Sequence, residues 1–412
     1  MRSLPAKPST TNREARPAEL PPPGAGSVVA RSGVVATRNL VVIGGSAGSL
    51  EPLYKIVELL PADFPGTLLI TLHVSPQSPG HLAEILTTAT GIPVSYAVDG
   101  QQIQPGRALL APPDRHLLVR DGTVQLSRGP QENRARPAID PMFRTAAVAH
   151  RERVVAVVLS GLLDDGADGL IAVKRAGGRA IVQDPGEATF PDMPLAALRF
   201  AEVDQVLCAA SIGHRLVELV QDEVEPVPAT ASDVVPDRDE YGRSGADTEG
   251  VPSGFACPDC HGALWELREG PLVRFRCGTG HALSAESAAA GLDEHVERAL
   301  RAALRSLKEK AALARKLMAS AAGREFPVVV GMYEKRLRDA EDNAGALRKM
   351  LGAEKARLAS VTGRLSARRS RGDALSRRKD ALTRRKAESQ PGSDPPRRNG
   401  PSGVSTHGRF AP

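Results

Sequence analysis

Short apolar runs recur between residues 39 and 207, and most give way to stretches whose apolar residues fall three and four apart. Asn39–Ile43, Thr67–Leu72, Arg107–Leu110, Val154–Leu159, Ala180–Val182 and Gln205–Leu207 are rich in Val, Ile and Leu and too short for helices. They read as strands. Helices are expected near 50–60, 79–89, 141–150, 166–176, 194–200 and 211–221. Such alternation predicts an α/β domain over residues 38–222, built around a mainly parallel sheet. Between Gly91 and Gln125, short strands with turn signals at Val98-Asp99-Gly100 and Asp121-Gly122 predict an antiparallel excursion.

Beyond Gln221 the texture changes. An acidic, Pro-containing stretch (223–250) reads as a linker, and a Cys/His segment follows over 251–288. Residues 289–362 hold two helical stretches, 289–322 and 331–362, with Gly323 and Pro327 at the turn. In the first, Leu292, Val296, Leu300, Leu304 and Leu307 form one stripe. The pair predicts an α-helical hairpin or coiled coil, too narrow to be stable without a partner. Residues 1–37 (Pro, Ala, Arg) and 363–412 (Arg clusters among Ser, Gly and Pro) are expected to be disordered.

Charge changes the picture only at the end of the chain. The net +6 is smaller than the surplus of nine carried by residues 363–412, where 13 Lys/Arg face 4 Asp/Glu. The rest of the chain is therefore slightly acidic, and any nucleic-acid contact would come from the tail, weak and salt-sensitive. No apolar run is long enough for a membrane span, and the first 36 residues lack the apolar block of a secretory signal. Three of the four cysteines cluster, which disfavours a disulfide scaffold, and a cytoplasmic location is expected.

The sharpest local feature is Val41-Val42-Ile43-Gly44-Gly45-Ser46-Ala47-Gly48-Ser49, a strand running through a Gly-rich turn into a helix. Gly44-x-Ser46-x-Gly48 fits an elbow that exposes a nucleophilic serine, with a helix N-terminus aimed at developing oxyanion charge. A dinucleotide-binding turn would place glycines where Ser46 and Ser49 stand, and there is no P-loop lysine.

A serine needs a base, and the base needs a carboxylate. His73 ends the apolar run Leu68–Leu72, on the sheet edge where Ser46 is expected. His81 and His150 fall on helices, and His116 follows a Pro-Pro turn. The run Val154–Leu159 leads into a turn carrying Asp164, Asp165 and Asp168. Helix capping would equally account for Asp164 or Asp165, and the pattern does not separate them.

In the Cys/His segment, Cys257-x2-Cys260 and Cys277-x3-His281 are two close pairs sixteen residues apart. That spacing suits a tetrahedral structural Zn2+ site in a zinc-ribbon-like unit, with Trp265 and Phe275 on strand-like runs between the pairs. His261, adjacent to Cys260, is a geometrically poorer fourth ligand. Cys208, at a strand end, reads as a buried structural thiol.

Taken together, Ser46 with its glycines, Leu72-His73-Val74, Arg136-Pro137-x-x-Asp140 and Gly161-x-x-x-Asp165-Gly166-Ala167 resemble the catalytic domain of the CheB family of chemotaxis methylesterases. Asp99-Gly100, Pro105-Gly106, Ala111-Pro112-Pro113-x-Arg115-His116 and Met193-Pro194 fit as well, over about Asn39 to Val220. The resemblance implies a doubly wound, Rossmann-like α/β fold and a triad of Ser46, His73 and Asp165, with oxyanion donors near Leu162. It also implies hydrolysis of glutamate methyl esters on chemoreceptors (methyl-accepting chemotaxis proteins) without a catalytic cofactor, and in many members glutamine deamidation. The 38 residues before the first strand are too few for the family's usual receiver domain, so phosphorylation in cis is not expected. Two other readings stay open at this level: an esterase for a protein outside chemotaxis, and a catalytically silent docking or nucleic-acid-binding protein. Oligomeric state is not legible.

Overall fold

The structure is a computed structural model, and it describes residues 36–225, 250–269, 272–322 and 327–353. The expected disordered arm up to residue 35, most of the linker and the basic tail lie outside the described residues.

The chain enters through β1 (Ala36–Thr37) and then builds β2 (Leu40–Gly45), α1 (Leu50–Glu58), β3 (Thr67–Leu72), α2 (Leu82–Thr87), β4 (Val94–Tyr96) and β5 (Arg107–Leu110). A hairpin follows, β6 (His116–Arg120) and β7 (Thr123–Ser127), with Asp121 and Gly122 both at positive φ as a tight two-residue turn requires. Then come α3 (Ile139–His150), β8 (Val154–Val158), α4 (Ala167–Arg175), β9 (Arg179–Gln183), α5 (Asp192–Phe200), β10 (Gln205–Leu207), α6 (Ala209–Leu219) and β11 (Glu223–Val224).

Seven of these strands form one wholly parallel sheet in the order β10-β9-β8-β2-β3-β5-β4. Strands β2, β3 and β8 are buried at every position. Helices cover both faces, which is why these strands are apolar throughout instead of alternating. Leu53, Ile56, Leu86, Ile212 and Leu216 of α1, α2 and α6 pack on one face; Met142, Phe143, Leu170 and Ala197 of α3, α4 and α5 pack on the other. The doubly wound expectation is met, with one correction. The antiparallel excursion is confined to β6–β7, because β4 and β5 join the parallel sheet. The predicted boundaries of arm and linker shift slightly as well, since Ala36–Thr37 pair antiparallel with Glu223–Val224.

Four antiparallel strands follow the linker: β12 (Val251–Ala256), β13 (Ala263–Glu269), β14 (Leu272–Cys277) and β15 (Ala282–Ser284). Their core is small: Cys257, Leu264, Phe275, Cys277, Leu283 and Ala288. A unit of this size needs a further staple to hold its shape. Helix α7 (Ala285–Ala322) starts directly from β15, and a second helix, α8, covers residues 327–353. Arg315 pairs with Glu341 across them, and the buried residues of this region are alanines (Ala311, Ala314, Ala340, Ala344). Leu292 and Val296 of the predicted stripe are exposed, by 38% and 59%. None of the described helices is long and apolar enough to cross a membrane.

Candidate active site

Ser46 follows β2, His73 follows β3 and Asp165 sits in the turn after β8. These three strands are neighbours around the point where the strand order reverses, and the residues lie at their carboxyl ends, where parallel α/β sheets gather their sites. Ser46 Oγ is 3.1 Å from His73 Nδ1, and His73 Nε2 is 2.7 Å from Asp165 Oδ2. An ionised carboxylate only accepts, so Nε2 carries the ring proton and Nδ1 is left to accept from the Ser46 hydroxyl.

The elbow is held from both sides. The Ser46 N–H donates to the Ser160 carbonyl (3.0 Å), and the Ser160 hydroxyl donates to the Ala47 carbonyl (2.9 Å). Gly48 has φ 72°, and a Cβ there would also crowd Thr189. A Cβ on Gly161 would run into the Met193 sulfur and Ser46 itself. These two glycines leave the room in which the Ser46 side chain stands.

Asp165 is 2% exposed yet accepts five hydrogen bonds. Oδ2 takes His73 Nε2 and the Ile139 N–H (2.7 Å); Oδ1 takes Asn133 Nδ2 (2.9 Å) and the amides of Asp140 (3.2 Å) and Gly166 (3.0 Å). Ile139 and Asp140 open α3, whose positive end faces the carboxylate. Burial opposes ionisation of Asp165, but His73, the Ile139 amide and Asn133 outweigh it and hold the carboxyl at about 2. Beside it, burial and the Asp165 charge raise Asp140 well above the usual carboxylate range. Asp140 accepts the Gly166 (3.0 Å) and Gly169 (2.8 Å) amides at the start of α4, and its other oxygen accepts from Asn133 (2.9 Å). Asn133 thus divides its two amide hydrogens between two buried carboxylates.

Asp164, which the sequence pattern could not set apart from Asp165, points elsewhere and accepts the Ser284 hydroxyl at 2.6 Å. Burial pushes its carboxyl up to about 6, against the Ser284 hydrogen bond. A raised value means that the folded chain holds the proton more tightly than the unfolded one. Stability is therefore lost as pH rises from about 4 through about 6. We expect Asp164→Asn to be more stable than the parent by on the order of 1–3 kcal/mol above about pH 7, the two converging below about pH 4. Thermal melts across that range check it; a pH-independent gap would contradict the assignment.

Of the other histidines, His116 and His81 have structural partners. His116 is buried, with Nε2 3.0 Å from the Pro130 carbonyl and Nδ1 accepting the Ala138 N–H at 3.2 Å, so it is a neutral strut before α3. Burial lowers His150 to about 4, and His81 pairs with Glu84 at the surface. Cys208 is exposed, not buried as expected, because it sits at the N-cap position of α6, without a side-chain capping bond, at the end of an edge strand.

Cys257, Cys260, Cys277 and His281 come together, their ligand atoms all within 4.8 Å of one another. Cys260 Sγ and Cys277 Sγ are 3.5 Å apart, and His281 Nδ1 lies 3.7 and 3.5 Å from the sulfurs of Cys257 and Cys277. A tetrahedral zinc with ordinary bond lengths demands edges of about 3.8 Å between sulfurs and about 3.6 Å from sulfur to nitrogen. The donor set and its spacing fit such an ion. His261 is outside this group and stacks on His295 with ring centres 4.9 Å apart.

Sequence reasoning missed the residues that join this small sheet to the segments around the Ser46–His73–Asp165 hydrogen-bond chain. Arg274 of β14 meets both Asp168 and Glu132 (3.1 Å to Glu132), and Arg144 of α3 meets the same two acids at 3.0 and 2.7 Å. Ser284 N–H donates to Asn133 Oδ1 at 3.0 Å. No periodicity or motif marks Asn133 or Arg274; only the closed fold brings them together.

Comparison with known proteins places this geometry. The family pattern described as CheB methylesterase matches residues 41–216. A Leptospira interrogans protein, provisionally named a protein-glutamate methylesterase/protein-glutamine glutaminase, is 36% identical over 186 residues, 45% of this chain and 96% of that protein. Protein-glutamate methylesterase/protein-glutamine glutaminase 5 of Anaeromyxobacter dehalogenans is 38% identical over 187 residues, 44% of this chain and 51% of its own length. The chain therefore spans about half the length of that relative. The crystal structure of the Thermotoga maritima CheB methylesterase catalytic domain aligns over 45% of this chain and all of its own, with 33% identity and a TM-score of 0.43. Spanning nearly the whole of the Leptospira relative at this identity, the chain belongs to the CheB methylesterase family.

Proposed function

We propose that this chain is a protein-glutamate methylesterase in which Ser46 is the nucleophile, His73 the general base and then acid, and Asp165 the orienting carboxylate. The observation that carries the reading is the unbroken Ser46–His73–Asp165 hydrogen-bond chain at the carboxyl edge of the sheet. His73 Nδ1 takes the Ser46 proton as Oγ attacks the ester carbonyl. Backbone amides near Leu162 are the oxyanion donors that the family resemblance implies, and the Ser46 amide itself donates to the Ser160 carbonyl. Collapse of the intermediate expels methanol, which takes the proton back from His73. Water, activated by the same nitrogen, then hydrolyses the acyl-enzyme to glutamate and free Ser46. Asp165 keeps the proton on Nε2 throughout and stabilises the imidazolium as it forms.

The substrate class is a γ-glutamyl methyl ester on a chemoreceptor-type protein, and the same chemistry applied to a primary amide gives glutaminase activity. The names of the relatives support both. The catalytic steps need no cofactor. Cys257, Cys260, Cys277 and His281 would hold Zn2+ with all four positions filled by protein, which suits a structural ion and leaves no open position for substrate. The test is methanol release from a methylated chemoreceptor fragment by the full-length chain. Release with glutamate formed is the expected result; no release, while Ser46 still reacts with a small fluorophosphonate, would move the substrate to a different ester.

A further inference from the structure

The Cys/His sheet is not appended at a distance from the triad. Its hairpin β14–β15 has two ends with different tasks. At one end Cys277 and His281 close the turn, with the Cys277 N–H on the His281 carbonyl at 3.1 Å, and supply two of the four clustered ligands. At the other end Arg274 and Ser284 stand opposite each other in register, and both reach into the hydrolase domain. Arg274 is 3% exposed and closes a buried square of charges with Glu132, Asp168 and Arg144. Ser284 takes hold of both segments that carry the Asp165 contacts: its hydroxyl donates to Asp164, the residue before Asp165, and its N–H donates to Asn133. Residue 282 adds a backbone pair to the same loop, receiving from Asn133 N–H at 2.8 Å and donating to the Gln131 carbonyl at 3.2 Å.

The Ser284 N–H has a particular consequence. An asparagine amide can sit either way round. The Ser284 donor fills the Asn133 carbonyl oxygen, which turns both amide hydrogens toward Asp140 and Asp165. With the amide reversed, its oxygen would face two buried carboxylates, and its hydrogens would face a donor. Asn133 and Arg134, both at positive φ (49° and 63°), are the centre of a tight turn closed by reciprocal backbone hydrogen bonds between Glu132 and Ala135 (3.3 and 2.9 Å). The β15 contacts tie that turn, and with it Asn133, to the Cys/His sheet.

We propose that the metal-bound Cys/His sheet is an internal brace for the catalytic carboxylate, with Arg274, Ser284 and Asn133 as positioning residues and the metal stiffening the hairpin that presents them. The proposal rests on the esterase reading only for its kinetic readout. Removing the metal, or cutting Arg274 from its acids, loosens the 131–134 loop and lets the His73–Asp165 hydrogen bond go slack without touching the substrate-binding face.

The experiment compares the full-length, zinc-loaded chain with the chelator-stripped chain, Cys277→Ser, Arg274→Met, Arg274→Lys and Ser284→Ala. Three quantities are read: the low-field NMR resonance of the His73 ring proton shared with Asp165, the rate of Ser46 labelling by a fluorophosphonate, and kcat and KM for methanol release. Arg274→Met, Cys277→Ser and the stripped chain are expected to lose the low-field resonance and to label about 10- to 100-fold more slowly, with KM changing much less than kcat. Arg274→Lys should recover part of the rate, because an ammonium still reaches one of the two acids. Ser284→Ala removes only a hydroxyl and keeps the test usable should Arg274→Met fail to fold; about a 3- to 10-fold loss is expected from it. Unchanged resonance and labelling in the stripped chain and in Ser284→Ala would overturn the proposal. Normal labelling of the parent without methanol release would instead count against the substrate reading and leave the brace standing on its first two readouts.

Discussion

Replacing Ser46 by alanine is expected to lower methanol release by about 10⁴-fold or more while leaving the fold intact. The loss is large because the acyl-enzyme route disappears entirely, leaving only transition-state binding by the turn amides to act on direct attack by water. The fold survives because the link that fixes the elbow is the Ser46 main-chain N–H on the Ser160 carbonyl, which alanine retains. Thermal stability should therefore stay within about 0.5 kcal/mol of the parent. Burst-phase and steady-state methanol assays check the rate on the two proteins, and thermal melts check the stability. A residual rate within about tenfold of the parent would remove Ser46 from the mechanism.

Asp165→Asn should cost about as much in rate, about 10⁴-fold, for a different reason. The native carboxylate faces donors only: two at Oδ2 and three at Oδ1. An asparagine must turn its NH2 toward one set. Facing the Oδ1 set opposes Asn133 and two backbone amides, none of which can change. Facing the Oδ2 set opposes the Ile139 amide and His73, and His73 alone can respond by moving its proton to Nδ1. That choice puts an N–H against the Ser46 hydroxyl and abolishes the base. The variant should also be less stable by roughly 1–3 kcal/mol at neutral pH, from the opposed donors. In the parent, the Asp165 carboxyl is held at about 2, so its contribution is present above about pH 4 and fades as pH falls toward 2. The stability gap should close in acid along with it, which calorimetry at several pH values would reveal. A variant retaining a tenth of the parent rate would show that tautomer control is not what Asp165 supplies.

What could be read from the sequence, and what could not, divides by the range of the forces involved. Strands β3, β5 and β10 fall where apolar runs predict them, because burial on both faces writes itself into consecutive residues. The elbow was visible because Gly48, at φ 72°, answers a local backbone demand. Strand partnership was not visible for β4 and β5: three or four residues with nearby turn signals carry no record of whether their neighbour runs parallel. The exposure of Cys208 was hidden for the same reason, since β10 is an edge strand only after the sheet is assembled. Most opaque were Asn133 and Arg274. Each is an ordinary polar residue until a segment 106 to 151 positions away brings a donor or an acid, and only one of each pair lies in the domain the motifs describe.

One small feature of the fold bears on how this hydrolase can be handled. The ribbon of β1 and β11, with the Arg38 N–H on the Asp222 carbonyl at 3.2 Å, brings the entry and exit of the hydrolase domain side by side. Since β1 leads into the amino end of β2, this doorway opens at the rim of the sheet opposite Ser46, His73 and Asp165. A fluorophore, surface anchor or fused protein attached ahead of Ala36 would hang from the back of the enzyme, with the mouth of the active site left facing its substrate.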